Sequence, residues 1–296
     1  MAPKTAAQRK ADRKELAKEL QSSIIEQVQE LSTTEAWERY LTFASSFHGY
    51  SFRNVLLILS QFPDASRVAG YRKWQSLGRQ VVKGSKAIKI YGYSKKTIRT
   101  EEDEETGEEK EVLTVYFPIV SVFDMSQTEP IEGFADPFEI VSKLEGDDPL
   151  GLYEAVSTYL TSLGWKISRE PIPRDVNGFT TIDGTKRVVI EESLAPAQAA
   201  KTLLHEAAHV ILHEDNTEEE YAEHRGLKET EAESVAYVVA GAFGFDTSQY
   251  SIGYVAGWSM LDHAVIAESA ANVLKAAHEL IDVITEITAE SVATVS

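Results

Sequence analysis

The stretch from Lys201 to His213, KTLLHEAAHVILH, constrains this chain more than any other. It contains His205-Glu206-x-x-His209, two histidines four residues apart with a glutamate next to the first. On a helix that offset leaves the two imidazoles on one face, about 6 Å apart along the axis. Two neutral imidazoles so placed can share one metal ion, and Zn2+ suits them. Glu206 is rotated toward the rim of such a site, where its carboxylate can take a proton from a water that the metal activates. The residues around the trio are apolar (Leu203, Leu204, Ala207, Ala208, Val210, Ile211 and Leu212), so the helix is expected to be buried on most sides. A competing reading, an amphipathic helix with two incidental histidines, leaves Glu206 without a partner in an apolar run. Pro196 suits the first turn of this helix.

A catalytic zinc site needs a third protein ligand and an open position. The next helical pattern, Leu227 to Phe245, offers Glu229, Glu231 and Glu233. Glu229 and Glu233 share a face, whereas Glu231 lies about 200° round from Glu229. We assign Glu229 as the ligand and Glu233 as the acceptor that orients a ligating histidine; the two roles can be exchanged. His213 extends the face of His205 and His209 but lies about 12 Å from His205 along the axis, which is far for a shared ion. His224, between the helices, is a polar group near the site with no assigned role.

The segment from about 150 to 245, with HEAAHVILH followed by KETEAESVAY, resembles the ImmA/IrrE-type zincin-like metallopeptidases. The resemblance implies that His205, His209 and a downstream glutamate hold zinc and that Glu206 is the base.

Charge divides the chain. The net charge is −18, yet residues 1–100 hold 18 Lys and Arg against 8 Asp and Glu, and the rest hold 11 against 39. Nucleic acid is the natural partner for the first part and is disfavoured by the second. There is no cysteine, which excludes disulfides, thiolate metal sites and a cysteine nucleophile and fits a reducing cytoplasm. The N-terminus lacks the apolar run of a secretory signal, and no apolar run approaches the ~20 residues that span a bilayer, so neither secretion nor a membrane is expected.

In the basic part, residues 68–96 interleave Tyr71, Trp74, Tyr91 and Tyr93 with Arg72, Lys73, Arg79, Lys83 and further lysines. Single-stranded nucleic acid calls for this mixture, since bases stack on rings while Lys and Arg follow the phosphates. The alternative makes the aromatics core and the basic residues a solvated face. Lys86–Tyr93 alternates as a strand does, and Val112–Phe123 is a second strand run. We expect them to pair as a hairpin whose acidic tip, Thr100–Glu111, points away from any bound DNA.

NVLLILSQFPDASRVAGYRKWQSLGRQVVKGSKAIKIY, followed by FPIVSVFDMSQTE, resembles the N-terminal single-stranded-DNA-binding domain of ArdC-type antirestriction proteins. Asn54, Trp74, Gly78-Arg79, Lys83-Gly84 and Phe123-Asp124 through Gln127-Thr128 carry it. ArdC-type proteins place a zincin-like domain after this one, which is the order here. The resemblance implies protection of incoming plasmid or phage DNA from restriction, in the cytoplasm of a bacterial cell or the host of a mobile element.

These readings combine into an α+β expectation. A charged extension spans 1–22, a single-stranded-DNA-binding domain with a long hairpin 23–130, a linker 131–149 and a zincin-like domain 150–296. Helices are expected at about 24–46 (interrupted near 32–34), 54–61, 150–163 and 261–286. Short strands at 165–169, 179–182 and 186–191 would back the HExxH helix, and a loop at 247–259 would border the cleft. Tyr71, Arg72, Trp74, Arg79 and Lys83 are the expected DNA contacts, with Trp74 alternatively a core residue. The expected partners are single-stranded DNA and a protein or peptide substrate. Two rivals stand beside this reading: a DNA-binding protein with a structural zinc domain, and a regulatory peptidase that cleaves a repressor.

Overall fold

The computed structural model describes residues 5–102, 109–134, 148, 151–172, 176–214, 219, 224–245 and 262–295, without side chains at 96–102, 109–113 and 290–295. The acidic hairpin tip at 103–108, most of the linker and the loop at 247–259 lie outside them. The fold is α+β, and the chain divides into two compact units: Met1–Glu26 with Leu56–Glu139, and Gln27–Val55 with Ile140–Ser296.

The N-terminal stretch is one helix, α1 (Ala6–Glu30), followed by α2 (Thr34–Ala44). The break falls where the Ser32-Thr33-Thr34 cluster interrupts the apolar pattern, and Thr33 caps α2 by accepting a hydrogen bond from the Ala36 amide. Helix α3 (Phe52–Gln61) ends just before Phe62-Pro63, because a proline disfavours helical backbone in the residue preceding it.

The first unit is built on β1 (Val68–Gly70), a short helix α4 (Tyr71–Ser76), β2 (Arg79–Val81), β3 (Ile88–Tyr91), β4 (Ser94–Glu102), β5 (Glu109–Tyr116), β6 (Ile119–Asp124) and β7 (Thr128–Pro130). Among the described residues its pairings are antiparallel: β1–β6–β3, β2–β7 and β4–β5. The single hairpin expected from the sequence is therefore two ladders in series. In one, Tyr91 pairs with Ile119; in the next, Ser94 pairs with Tyr116. Between them Pro118 has no amide to donate, and its carbonyl instead accepts from the Gly92 amide at 2.7 Å. Gly92 suits this point because a Cβ there would lie 2.9 Å from Val120 Cγ1.

Asp124 ties this unit together. Its carboxylate accepts from the amides of Ser66 (2.8 Å), Arg67 (3.0 Å) and Ser126 (2.9 Å) and from the Ser126 hydroxyl (2.7 Å). Burial would raise its pKa, but these bonds outweigh burial and hold it below the ordinary value. Gln127 answers by accepting from the Asp124 amide at 2.9 Å, completing a capping box.

The second unit begins with α2, whose Trp37, Tyr40 and Leu41 are fully buried. It continues with α5 (Leu152–Ser162), β8 (Lys166–Glu170), β9 (Gly178–Thr180), β10 (Arg187–Glu191), α6 (Pro196–His213), α7 (Arg225–Ala242) and α8 (His263–Val295). β10 is the central strand, parallel to β8 and antiparallel to β9. Its Val188, Val189 and Ile190 are all buried, as a central strand requires. α6 packs on β9 and β10 and also against α5, α7 and α8. Gly178 permits the close approach of β9: a Cβ there would lie 2.7 Å from Thr202 Cγ2 of α6. Trp37 Nε1 donates to Ser234 Oγ of α7 at 3.0 Å, and the Tyr40 hydroxyl donates to the Ala270 carbonyl of α8 at 3.3 Å. No helix among the described residues is long and apolar enough to cross a membrane.

Candidate functional site

The site lies in the second unit, where α6 and α7 face one another beside the edge strand β9. A cavity of about 710 Å3 opens there, lined among others by Trp165, Thr180, His205, Glu206, Glu229 and Glu233. The four-residue offset brings His205 and His209 to one face of α6, with their Nε2 atoms 3.1 Å apart. Glu229 Oε2 of α7 lies 3.5 Å from His205 Nε2 and 3.7 Å from His209 Nε2. Glu233, one turn later on the same face, meets the other nitrogen of His205, with Nδ1 and Oε2 3.0 Å apart.

This donor set can hold a divalent metal. Two imidazole nitrogens and one carboxylate oxygen lie within 4.8 Å of one another, and three protein ligands of these types leave a coordination position open. The contact from Glu233 fixes the His205 tautomer and ring plane, as an outer carboxylate does for a ligating histidine. Burial works against a proton on His205, but Glu229 and Glu233 beside it outweigh burial and push its pKa up to about 10. A metal must displace that proton.

Glu206 lines the same cavity as the two histidines. It is 5% exposed, and burial raises its pKa, while the histidine charges and a hydrogen bond from Thr180 act against that rise. Thr180 Oγ1 donates to Glu206 Oε2 at 2.7 Å. Nothing in the motif announces Thr180, which stands 26 residues before Glu206 on β9. A polar residue on a short strand preceding the HExxH helix is the only signal it leaves.

His213 stands outside the cluster of three, its ring centroid 5.5 Å from that of His209. It is buried, its Nε2 lies 3.3 Å from the Lys228 carbonyl and 3.6 Å from Glu231 Oε2, and burial pushes its pKa down to about 4. Glu231, on the other side of α7 from Glu229, is also buried, and burial raises its pKa. His224 is the exposed residue preceding α7.

In the first unit the five expected DNA contacts separate. Tyr71, Arg72 and Lys83 are exposed. Trp74 is 1% exposed and its Nε1 donates to the Phe123 carbonyl at 2.8 Å, so its ring is core. Arg79 is buried too, with Nε donating to Thr128 Oγ1 at 2.8 Å and Nη2 to the Thr128 carbonyl at 3.3 Å. Trp74 ties α4 to β6 and Arg79 ties β2 to β7, segments distant in sequence.

A helix carrying HExxH, a second helix supplying the carboxylate and a small sheet beside them define a metallopeptidase-like domain. Comparison with known families agrees: residues 161–251 match the IrrE N-terminal-like domain of a peptidase family. Residues 14–123 match the N-terminal domain of anti-restriction factor ArdC. The chain thus carries an ArdC-type N-terminal domain followed by an IrrE-like domain. An uncharacterized protein of Bacillus anthracis is 26% identical over 290 residues, covering 87% of this chain; the chain spans about half (48%) of that relative's length. Two solved structures of antirestriction protein ArdC from the R388 plasmid are also similar. The metal-free one is 22% identical with a TM-score of 0.46, covering 81% of this chain and 86% of that one. The Mn(II)-bound one is 20% identical with a TM-score of 0.42, covering 81% and 89%.

Proposed function

We propose that this protein binds single-stranded DNA through its N-terminal unit, hydrolyses peptide bonds at a zinc site in the other, and protects incoming plasmid or phage DNA from restriction. The observation that carries the hydrolytic reading is the convergence of His205, His209 and Glu229 beside the buried carboxylate of Glu206. His205, His209 and Glu229 would hold the metal. Zinc held there supplies Lewis acidity toward a water and a carbonyl oxygen.

Glu206 takes the proton of the attacking water and returns it to the departing amine. Its raised pKa makes it a stronger base than an exposed glutamate. Thr180 occupies Oε2, which leaves Oε1 for the proton. The DNA-binding reading is supported by the match to the ArdC N-terminal domain and by the basic balance of residues 1–100. Binding of this kind weakens steeply with salt, because each neutralised phosphate releases counterions.

The test is elemental mass spectrometry of wild type and His205→Ala, with a cleavage screen of Glu206→Gln and a plasmid-transfer assay for protection. One zinc per chain, absent from His205→Ala, is expected, with cleavage lost in Glu206→Gln while the metal stays. A folded wild type without metal, or cleavage unchanged in Glu206→Gln, overturns the hydrolytic reading. Protection that survives Glu206→Gln assigns it to DNA binding alone. Protection that needs Glu206 but not DNA binding points to a regulatory peptidase.

A further inference from the structure

At the break between the two ladders of the first unit, the chain leaves two aromatic rings outside the core. Phe117 is 64% exposed and Tyr93 is 63% exposed, the highest values among the described large hydrophobic residues. They face each other across the ribbon, ring centroids 6.1 Å apart at 60°. Tyr116 and Val115, next along the strand, are exposed as well. Burial cannot account for this pair, and exposed apolar groups gathered in one place mark a contact surface.

Charge identifies what that surface takes. Residues 65–100 hold six lysines and four arginines and no Asp or Glu. Lys95 places its ammonium 5.7 Å from the Tyr93 ring centroid. Lys89, on β3, donates to Ser121 Oγ of β6 at 2.7 Å. A flat ring with an ammonium beside it matches a nucleotide, whose base stacks and whose phosphate pairs with the cation. A duplex keeps its bases stacked on one another, so only an unpaired strand can offer them to these rings.

We propose that Tyr93 and Phe117, with Lys95, form a base-stacking platform for single-stranded DNA at the root of the β4–β5 hairpin. The proposal rests on the DNA-binding reading above and locates it on residues other than Trp74 and Arg79, whose burial withdraws them from contact. The platform needs no sequence preference, because every base has a stacking face.

The experiment is fluorescence anisotropy with the full chain, using labelled oligo-dT and a labelled duplex. It compares wild type, Tyr93→Ala/Phe117→Ala, Phe117→Leu and Lys95→Gln, with light scattering to record oligomeric state. Both rings are exposed, so the variants should fold; thermal melts check this. The double variant should bind oligo-dT about tenfold or more weakly, since stacking contributes roughly five- to 150-fold per base. Phe117→Leu, which stays apolar but cannot stack, should also lose affinity. Lys95→Gln should lower the slope of affinity against salt.

Wild type that fails to bind oligo-dT overturns the DNA-binding reading itself. Wild-type binding that the ring variants leave unchanged overturns the platform and keeps that reading. Full affinity in Phe117→Leu, or a change of oligomeric state in the double variant, reassigns the surface to protein contact and likewise overturns the platform.

Discussion

Thr180 Oγ1 donates a 2.7 Å hydrogen bond to Glu206 Oε2, joining the edge strand of the small sheet to the carboxylate proposed as the base. A buried carboxylate stripped of its donor loses about 1–3 kcal/mol of stabilisation. Thr180→Val should therefore lower the melting temperature and, where a cleaved peptide is available, reduce kcat more than KM. Thr180→Ser should restore both. Calorimetry and steady-state kinetics on the three proteins check this, and equal values for the valine and serine variants would remove Thr180 from the site.

Glu233 stands outside the cluster of three, meeting the nitrogen of His205 that faces away from His209, and in the proposed site it would orient that ligand. Loss of such an outer carboxylate weakens metal affinity about 10–100-fold. Glu233→Gln should keep measurable but weaker zinc binding in a competitive chelator titration. Glu229→Gln and His209→Ala should lose it far more severely. Identical losses at 229 and 233 would show that both carboxylates ligate.

His278 predicts a pH dependence independent of the metal. It lies on α8 with its Nε2 buried and no partner for that atom among the described residues, next to the His48–Asp282 pair. Burial first, then the charge of His48, push its pKa down to about 4, against a smaller opposing effect of Asp282. Its folded pKa is below the unfolded value of about 6.5, so the unfolded chain binds the proton first. The contribution is intact above pH 6.5 and is lost as pH falls toward 4. It amounts to no more than about 3 kcal/mol. Urea titrations across this window should show declining stability in wild type and a shallower decline in His278→Phe.

Asp124→Ala should destabilise the first unit by about 3 kcal/mol or more, because several amide donors lose a charged acceptor at once. Asp124→Asn should fall between, since it keeps a carbonyl oxygen but no charge. Thermal melts monitored by circular dichroism distinguish the three. The carboxylate's folded pKa is below its unfolded value, so its contribution should also fade as pH drops through the folded pKa.

The parts of this molecule that were legible in the sequence are those set by local periodicity. The offset of His205 and His209 on α6, and the shared face of Glu229 and Glu233 on α7, follow from helical geometry alone. Residues whose placement depends on distant chain were not legible in this way. Trp74 stands among basic residues in sequence but is buried, its indole N–H donating to the Phe123 carbonyl 49 residues later. The single hairpin became two ladders because Pro118 interrupts pairing, an effect set by which residue faces it rather than by the apolar run around it. Thr180 reaches Glu206 only once β9 has paired with β10.

The bond from Trp37 to Ser234 joins residues 197 positions apart, and Ser234 adjoins Glu233 on the helix that carries Glu229. On the ribosome, α2 therefore emerges long before the helices that bury it and must keep Trp37, Tyr40 and Leu41 out of wrong associations during that interval. The same dependence governs excision: a fragment starting at residue 150 leaves behind the aromatic layer that covers α7 and α8. The helix that carries Glu229 is completed by a stretch of chain made well before it.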